Sequence, residues 1–133
     1  MNYEQLLRTH TLKVTPQRLG ILNLMERSGH ISIEQLYKEI KVHFSAISLA
    51  TLYKNIHAMM ATSLITEVQL PHMKPRYEIT KETHGHLLCT ECGCFEDIAV
   101  NLNDVIKEVS NTTHYKIDES QLVLSGRCVK CQN

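Results

Sequence analysis

Two Cys-x-x-Cys pairs constrain this chain more than any other feature: Cys89 with Cys92, and Cys128 with Cys131. Two residues between cysteines allow both thiolates of a pair to bind one metal ion from a tight turn. Two such pairs predict a closed tetrahedral site of four thiolates, which is typical of structural zinc. The alternative is two reduced or redox-active motifs. Because the pairs are far apart along the chain, a strand and a helix must lie between them.

The first part of the chain, up to about residue 62, has helical patterns. Thr15 followed by Pro16 is typical of a helix start, since Thr caps the helix and Pro fits its first position. Ser32 with Gln35 forms a capping-box pattern that predicts the next helix. A third helix is predicted from about Ser48.

The pattern then changes to the alternation that predicts strands, over residues 65–70 and 76–80, with turn residues at 71–75. Three helices followed by a hairpin indicate a winged helix-turn-helix. After residues 81–83 we expect strand, knuckle, strand, helix and strand, and the apolar face of that helix is Leu102, Val105, Ile106 and Val109. The predicted fold class is α+β: an N-terminal winged helix-turn-helix domain (1–80), a linker (81–83) and a small α/β dimerisation domain with the four-cysteine zinc site (84–133).

A second group of metal-binding side chains precedes the first cysteine pair. His84 and His86 are two residues apart, so on a strand both imidazoles face the same side. Glu78 lies upstream and Asp97 lies on the next predicted strand. These nitrogen and oxygen donors suit Fe(II), Mn(II) or Zn(II). A surface His-x-His without a metal is an equally good interpretation of the spacing alone.

The predicted third helix has a polar face suited to the DNA major groove, formed by Ser48, Thr51, Lys54, Asn55 and Ala58. Tyr53 lies on the apolar stripe, so core packing explains it equally well. Three further basic side chains, Lys13, Arg18 and Lys74, are candidate contacts to phosphates or a minor groove. A solvated helix face is the alternative interpretation. The mildly basic first part and the acidic second part fit a nucleic-acid module joined to another domain.

Several other classes of protein fit less well. The chain has no apolar run near the ~18 residues of a membrane helix, and its N-terminus is polar, so we expect a cytoplasmic protein with no membrane association. A metallohydrolase using His84, His86 and Asp97 would lack a general base and a substrate pocket, so we do not expect an enzyme. The capped third helix and the hairpin argue against a simple zinc-stabilised interaction module. Cys94 is interpreted as a bystander thiol.

Along nearly its whole length the chain resembles the ferric uptake regulator (Fur) superfamily. The resemblance is carried by Lys13-Val14-Thr15-Pro16-Gln17-Arg18, Ser48-Leu49-Ala50-Thr51-Leu52-Tyr53, Tyr77-Glu78, the segment from His84 through His86 and Cys89 to Gly93, and the Cys128/Cys131 pair. It implies a homodimeric winged-helix repressor whose N-terminal domain binds DNA and whose C-terminal domain dimerises. It also implies a regulatory metal between the domains that closes the dimer onto its operator.

The resemblance implies a regulatory metal site formed by His30, Glu78, His84, His86 and Asp97. An aspartate at position 97 is typical of the peroxide-sensing (PerR) branch, whereas the iron-sensing branch has glutamate. A further metal site of the family would fall on Thr83, Gly85, Asp104 and Ser120, so it is predicted to be missing, which also favours a peroxide sensor. Glu78 stands where the peroxide branch often has aspartate, so an iron- or zinc-sensing Fur-type repressor remains the alternative.

We therefore predict a metal-dependent repressor of oxidative-stress genes that binds a pseudo-palindromic double-stranded DNA operator as a homodimer. Its cofactors would be a structural Zn²⁺ and a regulatory Fe²⁺ or Mn²⁺. Peroxide would release the DNA through iron-catalysed oxidation of His30 or His84. The predicted DNA-binding residues are Lys13, Arg18, Ser48, Thr51, Tyr53 and Lys54.

Overall fold

The computed structural model describes residues 2–132, and the chain divides into two compact units between Thr80 and Lys81. The first unit contains α1 (Tyr3–Thr9), α2 (Pro16–Ser28), β1 (Ile31–Ser32), α3 (Ile33–His43), α4 (Leu49–Ala61), β2 (Ile65–Leu70) and β3 (Met73–Ile79). The second contains β4 (Gly85–Cys89), β5 (Phe95–Ile98), α5 (Asn103–Thr113), β6 (Val123–Gly126) and a 3₁₀ turn (Val129–Cys131). Within residues 2–132 no helix has the length and hydrophobicity needed to cross a bilayer.

Side-chain caps start the three longer helices of the first unit where the sequence predicts them. Thr15 accepts a hydrogen bond from the backbone N–H of Arg18 at 3.2 Å, and Pro16 occupies the first turn of α2. Ser32 caps α3, and Ser48 caps α4 through the N–H of Thr51 at 3.1 Å. Each cap satisfies an N–H that has no partner inside the helix, which stabilises the helix start by about 1 kcal/mol.

The core of the first unit lies between these helices and the hairpin. Its fully buried side chains come from every helix and include Leu7, Leu22, Leu36, Leu52, Ile56 and Met59. Burying one such side chain contributes roughly 1.5–3 kcal/mol. The helix starts and the core together hold α4 in a fixed position, with Ser48, Ala50 and Lys54 of its N-terminal end exposed at the surface.

The hairpin forms a three-stranded antiparallel sheet in the order β1-β3-β2. Two details differ from the sequence expectation. The turn is shorter than predicted, because the strand β3 already begins at Met73 and includes Pro75. Pro75 has no N–H to donate to a neighbouring strand. It is tolerated because β1 ends at Ser32, which pairs with Arg76, so β1 has no residue opposite Pro75. The short strand β1 was not predicted.

The second unit is built on a sheet in the order β5-β4-β6, in which β4 pairs antiparallel with β5 and parallel with β6. The chain reaches β6 through α5, as parallel pairing requires a long connection. Within residues 2–132, no side chain of α5 is buried. On its apolar face, Val105 is 56% and Val109 42% exposed, and Leu102 and Ile106 are partly buried.

Candidate metal centres and nucleic-acid interface

The four paired cysteines meet at one end of the second sheet. Cys89 ends β4, and Cys92 follows in the turn. Cys128 precedes the 3₁₀ turn beyond β6, and Cys131 is the last residue of that turn. The parallel pairing of Cys89 with Gly126 brings the two pairs together. Gly93 has a φ of 76°, a conformation that favours glycine, and its N–H donates to the carbonyl of Cys89 at 2.9 Å to close the first turn.

The sulfur atoms of this cluster have the spacing of a tetrahedral metal site. All four lie within 4.8 Å of one another, and the Sγ atoms of Cys92 and Cys128 are 3.8 Å apart. Four sulfurs bonded to zinc at ~2.3 Å are separated by about 3.8 Å. The fifth cysteine, Cys94, is not part of this cluster, and its thiol is exposed.

Backbone hydrogen bonds stabilise the thiolate form of one of these cysteines. The N–H groups of Cys92 and Cys128 lower the pKa of Cys89 to about 6. Hydrogen bonds with the side chains of Cys128 and Cys89 raise the pKa of Cys131 to about 12. Without an ion, four thiolates this close repel one another, so the cluster favours binding of a cation that accepts several thiolates.

A second group of donors lies on the same sheet. His86 on β4 is paired across the ladder with Asp97 on β5, and His84 precedes β4. The Nε2 atoms of His84 and His86 are 3.1 Å apart. The Oδ1 atom of Asp97 is 3.3 Å from Nε2 of His86 and 4.0 Å from Nε2 of His84. Ligands ~2.1 Å from one ion are separated by about 3.0 Å at right angles and about 4.2 Å when opposite, so these donors fit one octahedral ion.

Neighbouring groups hold both imidazoles in a metal-binding orientation. Nδ1 of His84 lies 2.8 Å from the carbonyl oxygen of Glu82, which assigns the proton to Nδ1 and leaves the lone pair of Nε2 for a metal. The ring of His86 stacks on Phe95, with centroids 4.9 Å apart. His86 is buried and His84 is partly buried.

The two carboxylate oxygens of Asp97 face different partners. Its Oδ2 atom accepts a hydrogen bond from the ammonium of Lys81, and its Oδ1 atom faces the two histidines. Partial burial raises the pKa of Asp97, but the hydrogen bond and charge of Lys81, with the positive charge that His84 and His86 carry when protonated, outweigh burial and hold the pKa below its usual value. The carboxylate is therefore ionised and available as a ligand at neutral pH.

The two remaining expected ligands belong to the first unit. Glu78 is buried on β3, and His30 directly precedes β1. Ile31 of β1 pairs with Tyr77 of β3. Continuing this antiparallel register by one residue places the backbone of His30 opposite that of Glu78. The spacing of the sequence did not indicate this, because β1 is only two residues long.

The predicted DNA-binding residues of α4 lie at its N-terminal end. Ser48 is the cap, and its hydroxyl donates to Oγ1 of Thr51 at 2.9 Å. Lys54 is exposed and points away from the core. Tyr53 packs against the core and lies beside His57, with ring centroids 5.9 Å apart. Tyr53 therefore has a packing role whether or not its hydroxyl reaches DNA.

The basic residues outside α4 differ in what they contact. Lys13 is exposed in the segment before α2. Arg18 on α2 donates to the side chain of Asn55 and to the carbonyl of Lys13. The ammonium of Lys74 donates to the carboxylate of Glu34. The sequence pattern places Asn55 on the polar face but does not indicate its partner, since nothing in the spacing relates positions 18 and 55.

Comparison with known proteins agrees with this architecture. The peroxide-responsive repressor PerR of Staphylococcus aureus is 26% identical over 129 residues, which cover 96% of this chain and 87% of that protein. The crystal structure of the Campylobacter jejuni peroxide stress regulator superimposes with a TM-score of 0.78 at 34% identity, covering 98% of this chain and 100% of that one. The ferric uptake regulator of Vibrio cholerae superimposes with a TM-score of 0.76 at 28% identity, covering 96% and 100%.

The ferric uptake regulator family profile matches residues 9–125. That range includes α2, α3, α4 and the hairpin of the first unit, the histidine pair, and the first cysteine pair. The chain therefore belongs to the ferric uptake regulator family, whose members are metal-responsive transcriptional regulators.

Proposed function

We propose that this protein is a peroxide-responsive, metal-dependent repressor. The observation that carries the proposal is the group formed by His84, His86 and Asp97, which offers nitrogen and oxygen donors and no sulfur. Such donors bind Fe(II) and Mn(II), the first of which reacts readily with peroxide. The four-cysteine cluster would hold a separate structural Zn²⁺.

In this proposal His30 and Glu78 complete the regulatory site. Five donors leave one position of an octahedral ion open to peroxide. The winged-helix domain (1–80) supplies His30 and Glu78, and the C-terminal domain (84–133) supplies the other three. One ion bound to both domains restricts their relative motion across the linker (81–83), which favours the arrangement that binds the operator.

A bound Fe(II) would act as the catalyst that promotes cleavage of the O–O bond of peroxide beside its own ligands. In the net reaction the imidazole of His30 or His84 gains one oxygen atom and loses two electrons, and H₂O₂ is reduced to one water molecule. The oxidised ring is a poorer ligand because the added oxygen changes its charge distribution and its protonation. His84 is only partly buried, so a small oxidant reaches it. Loss of the ligand weakens metal binding and releases the DNA.

We further propose that the protein works as a homodimer on a pseudo-palindromic operator. The apolar face of α5, which includes the exposed Val105 and Val109, is a surface that a second copy of the chain would cover. A symmetric dimer doubles the number of bases read, which a single winged helix needs for useful specificity. Lys13, Arg18, Ser48, Thr51, Tyr53 and Lys54 are the residues proposed at or near the DNA.

Binding to DNA selected from a random duplex library tests this function. With Mn(II) the protein should bind the selected duplex tightly, and after removal of the regulatory metal it should bind weakly. With Fe(II), added H₂O₂ should abolish binding, whereas the Mn(II) form should persist. Release by iron limitation with no response to peroxide would support the second candidate, an iron- or zinc-sensing repressor with the same donor set.

A further inference from the structure

Arg18 lies at the junction of three segments of the first unit. Its Nε atom donates to Oδ1 of Asn55 on α4 at 3.0 Å. Its Nη1 atom donates to the carbonyl of Lys13, in the segment before α2, at 2.9 Å. A single guanidinium therefore connects α2, the segment that carries Lys13, and the helix whose N-terminal end carries the predicted DNA contacts.

The hydrogen bonds continue along α4 beyond Asn55. The Nδ2 atom of Asn55 donates to the carbonyl of Thr51 at 3.0 Å. Thr51 in turn is bonded to Ser48 through its backbone N–H and its hydroxyl. Since a guanidinium only donates and a carbonyl only accepts, the orientation of the Asn55 amide follows from its two partners. The side chain of Asn55 is thus fixed on both sides.

The chemistry of these contacts favours arginine over lysine. The guanidinium is planar, and its N–H groups point in fixed directions, so it reaches two acceptors on different segments at once. Lysine has a single ammonium on a flexible stem and does not reproduce that geometry. Two of the directions available to Arg18 are already used inside the protein.

We propose that Arg18 is a positioning residue that holds Lys13 and α4 as one DNA-reading surface, and that it does not supply a phosphate contact of its own. This inference rests on the proposed DNA-binding function. The two roles predict different results. A phosphate contact contributes to binding of any sequence, and its loss lowers the slope of log affinity against log salt by about 0.9. Loss of a positioning contact reduces discrimination between sequences, and a lysine at position 18, which keeps the charge but not the two contacts, does not restore it.

The experiment compares four single variants: Arg18→Gln, Arg18→Lys, Asn55→Ala and the control Arg27→Gln. Arg27 is an exposed arginine on the same helix, so its removal changes the net charge equally. A fifth protein combines Arg18→Gln with Asn55→Ala. The probes are the duplex that the Mn(II)-loaded wild-type protein selects from a random library and a scrambled duplex of equal length. Fluorescence anisotropy at several salt concentrations gives affinity and slope, and thermal unfolding confirms that each variant is folded.

We expect Arg18→Gln and Arg18→Lys, which remove both contacts, to weaken binding of the selected duplex roughly three- to tenfold, a loss of the size that one hydrogen bond contributes. Binding of the scrambled duplex should weaken less than binding of the selected duplex, and Arg18→Lys, which keeps the positive charge, should lose as much discrimination as Arg18→Gln. Asn55→Ala removes the acceptor of the Arg18–Asn55 hydrogen bond. In the Asn55→Ala background, Arg18→Gln should therefore weaken binding by a smaller factor than it does alone. Arg27→Gln should bind as wild type.

Four results would overturn the inference. A salt slope that falls by about one unit in Arg18→Gln and is restored in Arg18→Lys identifies a phosphate contact. Strictly additive effects of Arg18→Gln and Asn55→Ala show that the two side chains act independently. If Arg18→Gln does not fold, the Asn55→Ala variant provides the test. Normal discrimination between the selected and the scrambled duplex in Asn55→Ala then refutes the proposal. A wild-type protein that selects no duplex contradicts the DNA-binding function itself, and the positioning role falls with it.

Discussion

Replacing Cys128 with Ser should unfold the second unit while the first unit stays folded. Within residues 81–132 the only buried apolar side chains are those of Leu88, Cys89 and Phe95. Burying three such side chains contributes about 4–9 kcal/mol. A four-ligand structural zinc contributes on the order of 10–16 kcal/mol in small domains. A zinc ion bound to the four cysteines would therefore supply the larger part of the stability of this unit.

Hydrogen exchange of the full-length protein resolves the two units separately. In the Cys128→Ser variant, the amides of β4 that pair with β5 and β6, such as Leu87 and Leu88, should lose their protection. The amides of α2 and α4 should keep theirs, because their core contains no cysteine. The matched control is Cys94→Ser, which removes a thiol outside the cluster and should retain one zinc per chain by native mass spectrometry.

One outcome would refute this reasoning. If Cys128→Ser loses the zinc but β4 stays as protected as in wild type, the sheet is stable through its own packing. The cluster would then be a redox or regulatory site and not the structural centre of the unit.

Three further perturbations test other parts of the account. His86→Ala should reduce the affinity for Mn(II), measured by calorimetry, at least tenfold while the zinc content stays at one per chain. An affinity equal to that of wild type would show that His86 is not a ligand. Val105→Glu places a charge on the apolar face of α5 and should shift the dimer to monomer in analytical ultracentrifugation; an unchanged dimer would place the interface elsewhere. Leu52→Ala should lower the free energy of unfolding by about 2–5 kcal/mol in urea, because Leu52 is fully buried. Val42 is 78% exposed, so the control Val42→Ala should change the free energy of unfolding by less than about 0.5 kcal/mol.

The helix starts and the cysteine cluster were readable from the sequence because their signals are local. Thr15, Ser32 and Ser48 cap helices through residues three positions away, and each Cys-x-x-Cys pair lies in one turn. The donors His84 and His86 were also evident, since strand alternation places them on one side.

Other features depend on contacts that spacing does not encode. The pairing of β1 with β3 involves positions more than forty residues apart, so the register that relates His30 to Glu78 is visible only in the structure. The same is true of the contact between Arg18 and Asn55. The apolar pattern of α5 predicted a helix correctly, but periodicity does not reveal whether the partner of an apolar face lies in the same chain or in another copy.

The most direct test of the central claim is the mass of the peptides that contain His30 and His84 after exposure to H₂O₂, measured together with DNA release. The Fe(II) form should gain one oxygen atom on one of these histidines as the selected duplex dissociates, and the Mn(II) form should keep both unmodified and stay bound. The measurement is made on Cys94→Ser as well as wild type, because the exposed Cys94 thiol is a competing target. Dissociation of the duplex with unmodified histidines and oxidised cysteines would contradict the account and indicate a thiol switch.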